Sequence, residues 1–198
     1  MANLLMILSW VFFYSLHTTL ASGKLKRFLE AKWPQGMKWY RLFYTIFSMI
    51  LFIGILIEAL FLPNEVLFKK SPSLNYTGYM LATLGVILSS RSLKEISFYS
   101  FLGLSHKNKE AATETLTIQG IYSHVRHPLY LGLLLIFLGY FLVSGTSGGL
   151  IHLCCLVAYL PLGIYFEEKN LLKKYESAYS DYQKSVPGFF PVKLKKGL

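Results

Sequence analysis

Two histidines, an arginine and two tyrosines lie within a 13-residue stretch at the start of an apolar segment. The stretch Gly120–Gly132 reads GIYSHVRHPLYLG, and the run Leu129–Val143 that follows it contains no charge. Polar groups at the entrance of a membrane helix are costly, so they usually have a function. Proline suits the first turn of a helix, so Pro128 predicts a helix start with His127 just outside it. The free backbone N–H groups there favour a hydrogen-bond acceptor or a ligand carboxylate.

A second polar pair, Glu167-Glu168, follows the last apolar segment of the chain. If the last two apolar segments form a helical hairpin, these carboxylates return to the level of His127. Carboxylates bind an ammonium group, and tyrosine faces attract a sulfonium or ammonium cation. The two stretches together therefore predict a site for a cationic ligand. Taken singly, each has another explanation, since aromatic and basic residues anchor membrane interfaces and acidic residues favour helix starts.

His17 is a further candidate, on a distant segment. It lies with Thr18 and Thr19 near the end of the first apolar run, where it could face the pocket or serve the structure alone. His124 and His127 are three residues apart, but no third residue has the spacing of a metal ligand. Pro128 also interrupts the helix that would align them, so we predict no metal site.

The composition is that of a membrane protein. Of 198 residues, 54% are hydrophobic and 15% are charged, with a mean hydropathy of +0.44, whereas soluble domains carry roughly 25% charged residues. We predict an all-α, polytopic membrane protein with about five transmembrane helices, the last two in a hairpin. The apolar runs that predict them are Leu4–Leu20, Tyr40–Leu62, Tyr76–Leu88, Leu129–Val143 and Leu150–Phe166.

The basic residues predict the orientation of these helices. Alternate connections and the tail carry 18 of the 20 lysines and arginines, and the other side carries Lys69 and Lys70. By the positive-inside rule the N-terminus lies outside, while Gly120–Gly132 and the C-terminal tail face the cytoplasm. Because the net charge of +10 is explained by this topology, it does not predict nucleic acid as a partner.

Two segments outside the apolar runs are predicted to lie along the membrane surface. The long connection Ser89–His127 contains an apolar patch, Ile96–Leu104, that suits an interfacial segment. In the tail an amphipathic helix is predicted, ending near Val186-Pro187-Gly188, with a kink before it at Pro161 and Gly163. Its apolar stripe consists of Leu171, Leu172, Tyr175, Ala178, Tyr179 and Tyr182.

These motifs resemble the integral-membrane S-adenosylmethionine methyltransferases, which include isoprenylcysteine carboxyl methyltransferase and the phospholipid N-methyltransferases. The resemblance covers residues 114–191 and rests on the stretch from Gly120 to Gly132, on Glu167-Glu168 and on Val186-Pro187 with Pro191. The N-terminal half, with Ser15-Leu-His17 and Tyr40-Arg41, is similar to the bacterial NnrU-type and methanethiol S-methyltransferase branch. This branch implies a bacterial inner-membrane protein.

The resemblance implies a single integral-membrane domain, 1–198, with a three-helix part at 1–92 and a cofactor-binding part at 93–198. It also implies an S-adenosylmethionine pocket under a capping tail, in which Phe189 and Phe190 could cover the adenine. By position, the cofactor-binding residues are Leu116, Thr117, Tyr122, His127, Pro128, Leu129, Tyr130, Glu167 and Glu168. For a thiol acceptor, Arg126 would lower its pKa, and His17 or His127 would accept the proton.

One departure from the resembled family bears on the acceptor. The isoprenylcysteine enzymes carry a substrate-contacting arginine one turn before the matching glutamate, and this chain has Gly163 there. We therefore expect an acceptor other than a prenylcysteine carboxylate: a small or lipophilic thiol, an amine or a membrane lipid head group. The oligomeric state stays open.

Two alternatives to a methyltransferase stay open from the sequence. Membrane sterol reductases share a related architecture and bind NADPH, but that cofactor requires clustered arginines, and only Arg126 lies near the motif. The second alternative is a non-catalytic membrane protein of the NnrU type that retains the motif as part of its fold.

Overall fold

The protein is all-helical, as predicted. The structure, a computed structural model, describes residues 1–96 and 116–189, and no β-strand occurs in these ranges. The helices of these ranges are α1 (Ala2–Ala21), α2 (Gly23–Lys32), α3 (Met37–Phe61), α4 (Pro72–Glu95), α5 (Pro128–Ser144) and α6 (Ser147–Ser185). Short 3-10 turns lie at Pro34–Gly36 and Gly120–Ser123. The predicted interfacial patch Ile96–Leu104 lies outside the described residues except for Ile96, and Phe190 also lies outside them.

Local chemistry determines where these helices begin. The side chains of Ser22, Ser71 and Thr146 accept hydrogen bonds from backbone N–H groups in the first turns of α2, α4 and α6. Pro128 occupies the start of α5, and His127 before it has non-helical backbone angles, as the sequence predicts. Gly145 ends α5 with a left-handed φ of 64°, so the chain reverses within two residues before α6 begins.

The main hydrophobic core joins both ends of the chain. It combines side chains of α1, α3, α5 and α6 around Trp10, which is 1% exposed. Trp10 donates its indole N–H to Nδ1 of the buried His152 at 2.8 Å, so these two buried polar groups are paired. The buried members of this core are Met6, Trp10, Phe13, Ile55, Ala59, Phe137, Leu156 and Leu160.

α4 and α5 pack at backbone distance through glycines that recur at seven-residue spacing. A Cβ atom on Gly85 would lie 2.9 Å from the backbone nitrogen of Ile136, and one on Gly78 would lie 2.8 Å from the carbonyl oxygen of Gly139. A Cβ on Gly132 would meet the carbonyl oxygen of Gly85 at 2.7 Å. Small residues at such an interface let two membrane helices approach closely. Gly132, at the end of the motif, therefore lets α4 approach α5 closely.

α6 is longer than any predicted element. Its 39 residues form two helical parts that meet at Glu176, and the second part folds back so that Gln183 reaches Glu168. Residues 147–175 alone are about 44 Å long, more than the hydrocarbon thickness of a bilayer. Its apolar part ends at Phe166, so the second half extends beyond the apolar layer. The backbone leaves helical angles at Glu176, with φ 48° and ψ −120°, rather than at Pro161, which stays inside the helix.

The tail stripe packs against the protein itself. Tyr179 and Tyr182 are buried with Val186, and Leu116, Leu171 and Tyr175 pack around them. The apolar face that the sequence assigns to a membrane surface therefore covers the segment that leads into α5.

Three helices of the described residues are long and apolar enough to cross a membrane: α1, Trp39–Phe61 of α3, and α6. α5 is apolar but has 17 residues, and α4 extends the predicted run Tyr76–Leu88 into its polar flanks, to 24 residues. The protein is thus an integral membrane protein, while the count of five spans stays a prediction.

Candidate active site

The segment before α5 binds the end of the tail through its backbone. The N–H groups of Arg126 and His127 donate to the carbonyl oxygens of Pro187 and Gly188, at 2.9 and 3.0 Å. The Arg126 guanidinium adds a bond to the carbonyl oxygen of Val186 at 2.6 Å. Because these bonds join residues about 60 positions apart, they hold the tail over the start of α5.

Glu168 lies at the centre of a partly buried polar network. Its Oε1 atom accepts from Arg126 Nη2 at 2.8 Å and from His127 Nε2 at 3.0 Å, while Gln183 donates to Oε2 at 3.1 Å. Tyr179 donates to Oε1 at 3.4 Å. Burial raises the pKa of this carboxyl, but the bonds from His127 and Arg126 outweigh burial, and the pKa is lowered. Glu168 is therefore ionised, and its carboxylate is occupied by hydrogen bonds from the protein itself.

His127 lies between two carboxylates. Its side chain is 2% exposed, with Nε2 on Glu168 and Nδ1 3.4 Å from Oε2 of Glu167. Burial lowers the pKa of His127, but the hydrogen bonds and charges of Glu167 and Glu168 outweigh it, so the pKa is raised. Since both ring nitrogens face acceptors, the geometry favours the imidazolium form.

Behind this network, Tyr122 connects three segments. Its hydroxyl lies 2.6 Å from Oγ of Ser92 on α4, and its carbonyl oxygen accepts from the Tyr182 hydroxyl at 2.6 Å. Burial raises the pKa of Tyr122 to about 12 even though the bond to Ser92 lowers it. The phenol is therefore neutral at physiological pH, and Tyr122 connects α4 to the tail through hydrogen bonds.

A cavity of about 890 Å³ opens beside this network, within the range of small-molecule sites. Its wall combines residues of α1, α2, α3, α5 and α6. Four tyrosines line it, Tyr14, Tyr44, Tyr130 and Tyr159, together with the carboxylate of Glu167. Tyrosine faces and a carboxylate favour a cationic ligand.

His17 lies in the wall of this cavity and is held by α3. Its Nδ1 is 3.1 Å from Oγ of Ser48, and its Nε2 is 3.2 Å from the hydroxyl of Tyr44. Because Tyr44 also lines the cavity, its hydroxyl can connect His17 to a bound molecule.

Tyr159 is fixed by α1 on two sides. Its ring stacks on Tyr14 with centroids 4.0 Å apart, and its hydroxyl lies 3.1 Å from Oγ1 of Thr18. A Cβ on Gly163 would meet the Tyr159 ring at 3.1 Å and the Tyr130 hydroxyl at 3.5 Å. The glycine thus leaves room between these two tyrosines.

The predicted site residues occupy two neighbouring places. His17, Tyr130 and Glu167 line the cavity. Arg126, His127 and Glu168 form the network behind it, where Pro128 is fully buried and Leu116 packs against the tail. Thr117 and Leu129 are half-buried beside this region, and Phe189 packs against the main core.

The predicted site residues did not include Tyr14, Tyr44 and Tyr159, nor the basic residues of the cavity. A usable signal was present, because Tyr14 and Thr18 are four residues apart, as are Tyr159 and Gly163, and such pairs share a helix face. Arg27 on α2 also lines the cavity with Lys24, Lys169 and Lys173. The expectation that Arg126 is the only arginine near the pocket was therefore wrong.

Comparison with known proteins identifies the family. The family model described as phospholipid methyltransferase matches residues 74–178, more than half of the chain. The chain belongs to the phospholipid methyltransferase family. The match includes the start of α5, the cavity face of α6 and Glu168, and it ends two residues after the kink at Glu176, before Tyr179 and Gln183. No solved structure matches the chain significantly.

Relatives of this family member are methyltransferases from several organisms. It is 29% identical to methanethiol S-methyltransferase 2 of Bradyrhizobium diazoefficiens over 54% of its own length and 43% of that protein. It is 28% identical to methanethiol S-methyltransferase of Crocosphaera subtropica, covering 60% and 48%. It is 26% identical to human protein-S-isoprenylcysteine O-methyltransferase, covering 75% and 51%. The chain spans about half the length of these curated relatives.

Proposed function

We propose that this protein is an S-adenosylmethionine-dependent methyltransferase that methylates a small or lipophilic acceptor, with a thiol as the first candidate. The observation that carries the proposal is the cavity itself, in which four tyrosines and Glu167 face the same space as His17. The family match and the methyltransferase names of the relatives support it.

The cavity fits the chemistry of the proposed cofactor. S-adenosylmethionine has a cationic sulfur and an ammonium group, which suit tyrosine faces and a carboxylate. Glu167 is the carboxylate available, because its side chain is 45% exposed, whereas Glu168 is occupied by Arg126, His127 and Gln183. We assign Glu167 to the ammonium group and the four tyrosines to the sulfonium region.

When bound, S-adenosylmethionine supplies an already activated methyl group, so the protein needs to align the acceptor and exclude water. We assign proton removal to Tyr44 and His17: the Tyr44 hydroxyl takes the proton of the acceptor while donating its own to Nε2 of His17. His127 is held as an imidazolium between two carboxylates, so it has no free site for a proton. We therefore assign Arg126 and His127 to positioning the tail and Glu167.

The acceptor classes are a thiol, an amine and a lipid head group. Two relatives are named as methanethiol S-methyltransferases, which favours a thiol. Gly163, between Tyr130 and Tyr159, stands where the isoprenylcysteine enzymes have their substrate-contacting arginine, which favours an acceptor other than a prenylcysteine carboxylate.

The cavity opening is proposed to face the cytoplasm. The C-terminal end of α1, the basic helix α2 and residues 167–173 of α6 all contribute to the opening. The basic side chains of these segments are the ones that the positive-inside rule assigns to the cytoplasm of a bacterial inner membrane.

The test is transfer of a labelled methyl group from S-adenosylmethionine to a panel of thiols, amines and phospholipids by purified protein. We expect a labelled thioether, with loss of product for Glu167→Gln and unchanged product for Glu65→Gln, an exposed carboxylate outside the cavity lining. Cofactor binding without transfer to any acceptor would favour the non-catalytic alternative. A larger thermal shift with NADPH than with S-adenosylmethionine would favour the reductase.

A further inference from the structure

The cavity has two chemically different ends. Its deep wall is formed by tyrosines with His17, and its opening is formed by cations from two helices. These cations are Lys24 and Arg27 on α2 and Lys169 and Lys173 on α6, all exposed to solvent. The sole carboxylate of the described lining is Glu167. A ligand that reaches from one end to the other therefore meets a positive opening and an uncharged, hydrogen-bonding interior.

These four cations have no ion-pair partner among the described residues. In the part of the chain that the structure describes, the ion pairs involve Arg126, His127 and Lys184, and none involves the four. Lys169 lies 5.6 Å from the ring centroid of Tyr165, which leaves its charge in place. Cations gathered around one opening raise the local concentration of an anion and its rate of entry.

Topology alone does not explain where these charges lie. The positive-inside rule requires basic residues on this side of the membrane, yet it does not require them to line a cavity. Lys26 and Lys32 on the same helix satisfy that rule just as well and are not in the described lining. The four cavity cations therefore indicate a ligand.

The positive opening suits a negatively charged acceptor better than it suits the cofactor. S-adenosylmethionine carries two cationic groups and one carboxylate, so a positive opening disfavours it overall. An acceptor with a thiol and an acid group carries a net negative charge, so the positive opening attracts it. His17 lies one helical turn before the end of α1 at Ala21, about 6 Å along the helix axis. A short molecule can thus join the opening to the deep wall.

We propose that the acceptor is a small thiol that carries a carboxylate, which binds Lys24, Arg27, Lys169 and Lys173 while its sulfur lies toward Tyr44 and His17. This inference rests on the proposed methyltransferase function and adds the charge of its substrate. It commits to an acceptor that enters from the aqueous side, past the four cations of the opening.

The test compares two thiols of equal length, 3-mercaptopropionate and 1-propanethiol, on the full-length protein. Lys24→Ala/Arg27→Ala removes two cavity charges, and Lys26→Ala/Lys32→Ala removes two charges from the same helix outside the lining. We expect the KM for 3-mercaptopropionate to rise about tenfold in the first double variant, with less than about a twofold change for 1-propanethiol. The control double variant should resemble the wild type, and the first effect should shrink at high salt.

A binding measurement separates this inference from the proposed function. Calorimetry with the methylated product, 3-(methylthio)propanoate, should show binding to the wild type and the control, and weaker binding to Lys24→Ala/Arg27→Ala. An equal loss for both thiols, or no loss, would overturn the inference. So would a matching loss of S-adenosylhomocysteine affinity, because the cations would then serve the cofactor. If the wild type binds the product but not S-adenosylhomocysteine, the anion site stands and the proposed methyltransferase function fails.

Discussion

Glu167 and Glu168 are adjacent in α6, yet their carboxylates have different surroundings. The Glu168 side chain is 19% exposed and accepts hydrogen bonds from Arg126, His127 and Gln183. The Glu167 side chain is 45% exposed, lines the cavity and reaches His127 at 3.4 Å. Glu168 thus stabilises the fold while Glu167 faces the cavity, and His127 lies between the two carboxylates.

Glu168→Gln should destabilise the protein. Loss of the charge leaves Arg126 and His127 partly buried without their shared anion, which costs about 2 kcal/mol after allowance for partial exposure. We expect a fall in Tm of about 5 °C in detergent. Asp181→Asn is the control, because Asp181 pairs with Lys184 at 3.0 Å with both side chains about three-quarters exposed. Equal Tm changes in the two variants would show that the Glu168 network does not stabilise the fold.

The stability that His127 provides should depend on pH. The pKa of His127 is raised from 6.5, so its contribution is fully present below pH 6.5 and is lost as pH rises through the folded-state value. The pKa of Glu168 is lowered from 4.5, so its contribution is present above pH 4.5 and is lost as pH falls through the folded-state value. The pair therefore contributes most between these two values.

The measurement is the Tm difference between the wild type and His127→Gln across pH in the absence of cofactor. We expect the largest gap near pH 6 and a smaller one in mildly alkaline buffer. A gap that widens as pH rises would mean that neutral His127 is the stabilising form.

The close packing of α4 on α5 should tolerate no side chain at Gly85. A Cβ there would lie 2.8 Å from Cγ1 of Ile136 and 2.9 Å from the backbone nitrogen of that residue, so Gly85→Ala should push the helices apart and cost about 1–3 kcal/mol. Gly54→Ala is the control, since no atom lies within 4 Å of a Cβ there. That variant should be neutral or slightly stabilising, because alanine favours a helix. Thermal unfolding of both variants in the same detergent tests this.

Tyr44→Phe and His17→Gln should slow the reaction of thiols without weakening cofactor binding. Both variants interrupt the contact of 3.2 Å between the Tyr44 hydroxyl and Nε2 of His17. General base catalysis contributes about 10²-fold or more, so kcat should fall by about that factor. Tyr165→Phe, on an exposed ring of α6, should keep its activity. If instead S-adenosylhomocysteine affinity falls and kcat is kept, the two residues bind the cofactor.

The sequence could predict what depends on neighbouring residues. Pro128 begins α5 and Gly145 ends it because proline and a left-handed glycine determine helix ends locally. The kink in α6 could not be found in this way. Pro161 suggested a bend, but prolines are accommodated in membrane helices, and the bend lies at Glu176, whose residue type does not indicate a positive φ.

The cavity depends on contacts between distant segments. His17 and Tyr44 are 27 positions apart, and Thr18 and Tyr159 are 141 apart, so no local pattern connects them. The tail illustrates the same limit. Its stripe of tyrosines was evident from the spacing, but a stripe does not reveal whether a lipid surface or the chain covers it. In the described residues the Tyr182 hydroxyl donates to the carbonyl oxygen of Tyr122, so the chain itself covers this part of the stripe.

Calorimetry with S-adenosylhomocysteine decides whether the cavity beside Glu167 binds S-adenosylmethionine. We expect one site per chain in the wild type and in Glu65→Gln. We also expect at least a tenfold weaker Kd in Glu167→Gln, because a charge-assisted contact to the ammonium group is lost. No binding by the wild type, or equal affinity in all three proteins, would contradict binding at this site.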